Sequence, residues 1–450
     1  IDENRQEIIR LADQIWELAE PAFQEFRSSE ILQEALSRNG FRITQGVESM
    51  KTDFVAEYGS GKPVIALLAE YDALPGLSQD RLPDRQPAEE GAGGHGCGHN
   101  LLGAGAVGGA LALKAAMERH HLQGTVRLFG TPAEEGGNGK VYMVRSGLFD
   151  DVDVVLHWHP GDRNRVQFGS TLAVKSYRFQ FHGLSAHAAL NPDRGRSALD
   201  AVELMNAGVN ALREHVPEDT RIHYVITEGG RRPNVVPDFA EVWYYIRSPR
   251  IADLKRISGR VEEVARGASL MTATTVEIRI AGGSWNILPN RTLSEILLNN
   301  LKTVGAPVFG DEEIAFAHKL RDNLEKEGMD FTTELLLDAE IHPLPPEGKI
   351  HRASTDVGDV SWVVPTGGFN FAARLQQAPT HSWPFVATAG TGIGHEAALQ
   401  AARLFAATAI DLLDSPEAIA LAHEEFIRRR GDTRYRSIIP EGQAPPDKID

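Results

Sequence analysis

A single cysteine, Cys97, among 450 residues excludes any intramolecular disulfide, so the fold rests on a buried core rather than on covalent staples. Basic residues are also scarce: 46 Lys and Arg stand against 62 Asp and Glu, a formal net charge of −16. That balance repels phosphate backbones and anionic headgroups, and it excludes nucleic acid and membrane surfaces as expected partners. Long apolar runs are missing as well. The longest uncharged candidate, 101–113, is rich in Gly and Ala, stops at Lys114, and falls short of the ~20 residues that span a bilayer. The chain opens on Ile1-Asp2-Glu3 with no Met and no apolar leader, so a processed or trimmed product is expected, any targeting segment being absent from it; the expected compartment is the cytoplasm.

The remaining composition is that of a folded globular chain, with 42% hydrophobic and 24% charged residues and its 43 Gly and 24 Pro dispersed. The length suits two domains. Residues 2–39 carry apolar positions at helical spacing on either side of Pro21. Apolar runs at 64–68, 125–130 and 152–158 predict buried strands, and the Ala- and Leu-rich segment 101–120 predicts a crossover helix between the first two. From 171 the pattern becomes strand 172–182, helix 197–213, strands 221–227 and 240–247, helix 251–267 and strand 274–280. That βαββαβ order is the ferredoxin-like sandwich. Helices at 291–304, 314–326 and 396–413 and a strand at 369–373 then resume the α/β style, and 440–450 reads as a poorly packed end. The expected architecture is an α/β catalytic domain, 1–170 and 283–450, interrupted by a smaller inserted domain, 171–282.

Four loops concentrate metal-binding chemistry. Gly94-His95-Gly96-Cys97-Gly98-His99-Asn100 precedes the crossover helix, and Gly98 lets thiolate and imidazole converge on one point. Alone, such a pair reads as an incidental thiol in a Gly-rich loop. Strand 125–130 runs into Glu134-Glu135, which alone would read as a solvated turn. The next strand ends in His157-Trp158-His159, with both histidines on one face by the period of two. Gly392-Ile393-Gly394-His395-Glu396 places a fourth donor at a helix start. Parallel sheets gather reactive groups at the carboxyl ends of their strands, and the joint occurrence of these loops is far less accidental than any one. The donor mix suits a borderline divalent ion such as zinc, with manganese, cobalt or nickel as alternatives. With Glu135 as a ligand, Glu134 points differently and is free to accept a proton from water, which is a hydrolase design. A structural zinc would draw four ligands from one short segment, and a non-catalytic regulatory subunit would not need an unligated base.

Taken together, HGCGHN at 95–100, PAEEG at 132–136, WHP at 158–160, SAHAA at 185–189, PNVVPD at 233–238, LPNRTL at 288–293, STDVGDVSWVVP at 354–365 and GIGHEAAL at 392–399 resemble the M20 metallopeptidases and amidohydrolases, within them the aminobenzoyl-glutamate hydrolase B-subunit-like group. The resemblance spans nearly the whole chain. It implies a centre of two divalent metal ions and a ferredoxin-like lid that also makes a dimer contact. Cys97, His99, Glu135 and His395 resemble its ligands, His159 is favoured over His157 as the fifth, and Glu134 resembles the general base. Asp72 matches an acid that orients the centre, and Glu70 stands where other branches carry a metal-binding histidine. His187 resembles a histidine that reaches across the dimer to the scissile carbonyl, and Asn234 and Arg247 stand at positions resembling those that contact the substrate carboxylate or lie near the partner's site. Arg231 and Arg232 stand where small or apolar residues are expected, while Thr355, Asp356 and Asp359 lie in a loop expected to face the site. The implied activity is metal-dependent hydrolysis of a small-molecule amide: an N-acyl or N-aroyl amino acid resembling aminobenzoyl-glutamate, or a dipeptide. A homodimer, or a heteromer with a related subunit, is the implied assembly.

Overall fold

The computed structural model describes residues 1–47 and 49–449. Its larger sheet has seven strands in the order Arg42–Thr44, Phe54–Ser60, Gly124–Gly130, Val64–Ala69, Val154–Gly161, Thr366–Ala372 and Arg165–Gln167. The four strands from Gly124–Gly130 to Thr366–Ala372 are mutually parallel. The outer pairings are antiparallel. Helices cover both faces of a parallel sheet, so its strands read as continuous apolar runs, and every residue of Val64–Ala69 is buried. All four parallel strands point their carboxyl ends at the same edge. That geometry brings together loops that lie far apart in the sequence.

Helix His99–His120 is long and apolar enough to cross a membrane, contrary to the expectation that no stretch qualifies, but 78% of its apolar window is buried inside the fold. It packs against helix Gly392–Asp414. A Cβ on Gly109 would come within 2.7 Å of the Phe405 Cβ, so glycine is what allows these backbones to approach.

The second sheet is fully antiparallel, in the order Thr275–Ser284, Ala173–His182, Phe239–Ser248 and Arg221–Glu228. Helices Ala198–Leu212 and Ile251–Thr272 pack on it through Val202, Met205, Val209, Leu254, Ile257 and Val261. The expected βαββαβ order is therefore observed, with the last strand running on to Ser284. Trp285 joins the two bodies: its ring lies 4.9 Å from Trp362 and 5.2 Å from Tyr435, centroid to centroid.

Strand Phe54–Ser60 and helix Pro416–Arg430 are elements beyond those expected. Among 440–449 no residue is buried, as expected of this end of the chain, and the segment is tied to the body at its start. Ile439 is buried, and the carbonyls of Pro440 and Gln443 accept hydrogen bonds from Arg145. Asp450, the last residue of the expected loose end, lies outside the described residues.

Candidate metal centre and its cavity

Each carboxyl end of the parallel strands delivers part of one cluster. After Val64–Ala69 come Glu70 and Asp72; after Gly124–Gly130 come Glu134 and Glu135; strand Val154–Gly161 carries His157 and His159. The Cys97 loop enters from the side. Gly98 adopts φ +75° there, and a Cβ would lie 3.1 Å from both Phe385 and Pro160, so the turn between Cys97 and His99 requires glycine. At the Glu134 turn, buried carboxylates fix the backbone: Glu25 Oε1 accepts from the Ala133 amide at 2.8 Å and Asp72 Oδ2 from the Glu135 amide at 2.7 Å.

The imidazoles are oriented as ligands are. His99 donates from Nδ1 to Asp72 Oδ1 at 2.8 Å, leaving a buried Nε2 with no hydrogen-bond partner. His159 donates from Nδ1 to the Pro160 carbonyl at 2.7 Å, which turns its Nε2 to within 3.3 Å of the Cys97 sulfur. Three donor sets result, the atoms of each within 4.8 Å of one another: Cys97, His99 and His159; Cys97, Glu135 and His381; and His99, Glu134 and Glu135. A cation fits this arrangement, because thiolate, imidazole and carboxylate donor atoms converge there, and the near neighbours of His99 Nε2 and Glu135 Oε1 are themselves side chains of the cluster and its Glu70. Burial, then the nearby Glu135, pushes the Cys97 thiol up, so a bound cation is what would favour thiolate.

His159, not His157, thus joins Cys97 and His99. His157 packs on the bare backbone of Gly368, where burial holds its pKa at about 4 and keeps it neutral. Correction is needed at His395. Its Nε2 lies 3.0 Å from Asp13 Oδ1 on helix Arg5–Leu18, so the face of helix Gly392–Asp414 that carries it turns toward that helix and away from the donor cluster. The position expected of His395 is filled by His381, whose Nε2 is 3.1 Å from Glu135 Oε1 and whose amide donates to the Gly96 carbonyl. His381→Ala should therefore lower metal content at sub-saturating metal while His395→Ala leaves it unchanged; elemental analysis after gel filtration reads the difference. Cys97→Ser should weaken metal binding by at least about 10–100-fold, the usual cost of losing even an outer partner, and competition with a calibrated chelator measures it.

Behind the cluster lies an ion network that sequence reading did not find. Lys140, with a fully buried side chain, donates to Asp356 Oδ1 at 2.8 Å and lies 2.7 Å from Glu70 Oε1. The other Glu70 oxygen faces His99 Nε2 at 3.3 Å. Burial would neutralise the ammonium, but Asp356, Glu70 and Glu134 outweigh it and hold Lys140 charged. Burial, followed by Glu70, Glu135 and Asp356, pushes the Glu134 carboxyl well above its usual range.

The cluster opens into a cavity of about 690 Å³ lined also by Arg247, Tyr245, Ser354 and Thr355. Arg247 Nη1 donates to Ser354 Oγ at 3.0 Å. His187 and Asn234 lie on the exposed surface and do not line the cavity, and neither do Arg231 and Arg232. Asp359 holds its loop instead: it accepts from the Trp285 amide at 2.9 Å and from the Tyr435 hydroxyl at 2.9 Å.

Residues 66–428 match Peptidase family M20/M25/M40. The chain is 42% identical to the B subunit of p-aminobenzoyl-glutamate hydrolase from Escherichia coli K12, over 99% of this chain and 97% of that one. It is 30% identical to a Mus musculus Xaa-Arg dipeptidase, over 95% and 90%. Among solved structures it shares its fold with a Bacillus subtilis protein described as a dinuclear metal binding peptidase from the M20 family, at TM-score 0.61 and 19% identity, covering 92% of this chain and 99% of that one. Both curated relatives are named as hydrolases, and this chain belongs to peptidase family M20/M25/M40.

Proposed function

We propose that the chain is a metal-dependent amidohydrolase that cleaves the amide of an N-acyl or N-aroyl amino acid, with aminobenzoyl-glutamate as the model substrate and dipeptides as the neighbouring class. One observation carries this reading: two donor sets that share Cys97 face the same cavity as Glu134, with Arg247 also on its wall. Cys97, His99, His159, Glu135 and His381 would hold two divalent ions, zinc or manganese with cobalt or nickel as substitutes, which would supply Lewis acidity toward the amide carbonyl and toward water. Glu134 takes the proton of that water and returns it to the leaving amine. Asp72 fixes the His99 ring and the Glu135 backbone, so the donors hold their places while charge moves. Arg247 grips the carboxylate of the amino-acid half, and its buried, unpartnered Nε is free for that contact.

In this reading 171–282 acts as a lid over a catalytic body formed by 1–170 and 283–450. Strand Arg221–Glu228 is one edge of the lid sheet, with Val225 and Ile226 exposed on it, and Leu184, Leu190 and Val235 are exposed near His187 and Asn234 in the sequence. Such an edge favours pairing. A second copy supplies His187 as oxyanion donor and Asn234 as a carboxylate contact. The Escherichia coli relative is named as one subunit of its hydrolase, which favours a related second subunit as the alternative partner.

Turnover of a panel of N-benzoyl and N-acetyl amino acids and dipeptides, by metal-free protein supplied with zinc, manganese or cobalt, tests the proposal. Hydrolysis that appears only with metal is the expected result. Metal uptake without turnover of any amide, alone or with a related subunit, would leave a regulatory role in its place.

A further inference from the structure

The smaller body joins the larger at two crossings of the chain, 170–172 and 283–285. The crossings are tied to each other: Thr171 Oγ1 accepts from the Ile287 amide at 3.0 Å, and Ser170 Oγ donates to the Ile287 carbonyl at 2.7 Å. The second crossing also reaches the donor cluster. Strand Thr275–Ser284 shifts its register against Ala173–His182 between Ile280 and Gly282, which re-aims its end. Past that bulge the Gly283 amide donates to Asn138 Oδ1 at 2.9 Å, in a buried hydrogen bond on the cavity wall. Among the described residues this is the one hydrogen bond between 171–284 and the turn 133–138 that carries Glu134 and Glu135. The turn itself is closed by the Gly136 amide on the Glu134 carbonyl at 2.8 Å and the Gly139 amide on the Ala133 carbonyl at 3.3 Å. Ala133 and Asn138 both take left-handed backbone, φ +59° and +57°, a conformation that side chains resist and that surrounding contacts must enforce. Two such contacts come from the larger body, Glu25 on the Ala133 amide and Asp72 on the Glu135 amide; the third comes from the smaller one.

We infer that Asn138 is a positioning residue: through its bond to the Gly283 amide it makes the placement of Glu134 answer to the position of the lid. The inference rests on the amidohydrolase reading, in which Glu134 is the base and 171–282 the lid. Rate depends steeply on the alignment of a base with its water, so a lid that shifts this turn also sets the rate. Two substitutions break the tie from opposite sides. Asn138→Gly keeps the left-handed backbone at no cost and removes the acceptor. Gly282 takes an ordinary φ, and a Cβ there would lie 2.6 Å from Asn138 Oδ1, with the Gly136 carbonyl oxygen in ordinary contact at 3.7 Å. Gly282→Ala therefore displaces the same oxygen from the lid side.

On metal-loaded protein each variant should lower kcat for an N-benzoyl amino acid by about 3–10-fold, the worth of one buried neutral hydrogen bond, with KM and metal content within about twofold of wild type. Because Asn138→Gly removes the atom that the alanine strikes, the double variant should lose no more than the worse single one. Hydrogen exchange followed by mass spectrometry reads the tie without turnover. In both variants the amides of the 133–139 turn should exchange about 3–10-fold faster, together with Gly283. A wild-type kcat in Gly282→Ala, losses that multiply in the double variant, or faster exchange at Gly283 with the turn unchanged would each overturn the inference and leave the amidohydrolase reading in place. Absence of turnover on every amide by the wild-type chain would instead strike that reading, and the exchange of the turn would still decide whether Asn138 ties it to the lid.

Discussion

Glu134→Gln should keep its metal and lose turnover by about 10²–10⁴-fold, the range for removing a positioned general base. The substitution preserves size and hydrogen-bonding shape but removes the proton acceptor. Metal retention follows because Cys97, His99, His159, Glu135 and His381 remain, and one of several crowded carboxylates becomes neutral. The loss should appear in kcat, with KM little changed, because the proton moves only as the transition state forms. Parallel measurement of metal content and steady-state kinetics checks this. Undiminished kcat in a metal-replete variant would remove Glu134 from the mechanism.

Lys140→Met should cost about 3–5 kcal/mol of stability, because breaking a buried ion pair from one side strands the charges left behind. Methionine fills similar space, so the loss reports charge rather than volume. Glu70 and Asp356 would remain buried, with the Lys140 backbone amide on Asp356 Oδ2 at 2.9 Å as their nearest surviving support. Metal affinity should fall too, since Glu70 is held between Lys140 and His99. Adding Glu70→Gln to Lys140→Met should recover part of the stability, because it neutralises one stranded carboxylate. Denaturant titration of the metal-free proteins reads both effects. A Lys140→Met change within about 1 kcal/mol of wild type would show that the network is not a strong structural tie.

How much of this was legible in the sequence depended on how each signal is written. The parallel strands announce themselves as unbroken apolar runs, since both faces are covered, and the βαββαβ unit follows from ordinary periodicity. Strand Phe54–Ser60 escaped because only its first three residues are buried and it ends in Gly59-Ser60. Helix Pro416–Arg430 escaped because few of its residues are buried and its end is Arg428-Arg429-Arg430. At the site, Cys97, His99, Glu134 and Glu135 were readable as short motifs beside strand ends. His381 was not: it lies in the loop after strand Thr366–Ala372, and a non-glycine φ of +54° leaves no pattern. The available signal was its place after another parallel strand, a rule that His395, at the start of a helix, does not meet. Lys140 was invisible for a different reason. A lysine in a short helix reads as surface until Glu70 and Asp356, 70 positions before it and 216 after, are seen to close around it.

The central claim, hydrolysis by a centre assembled from these loops, is tested most directly by titrating metal into chelator-treated protein while following amide cleavage. Activity should be absent from the metal-free chain and rise to a plateau at about two equivalents of divalent ion per chain, the stoichiometry of a two-metal hydrolase. Cleavage that continues at full rate in the metal-free protein would contradict the account.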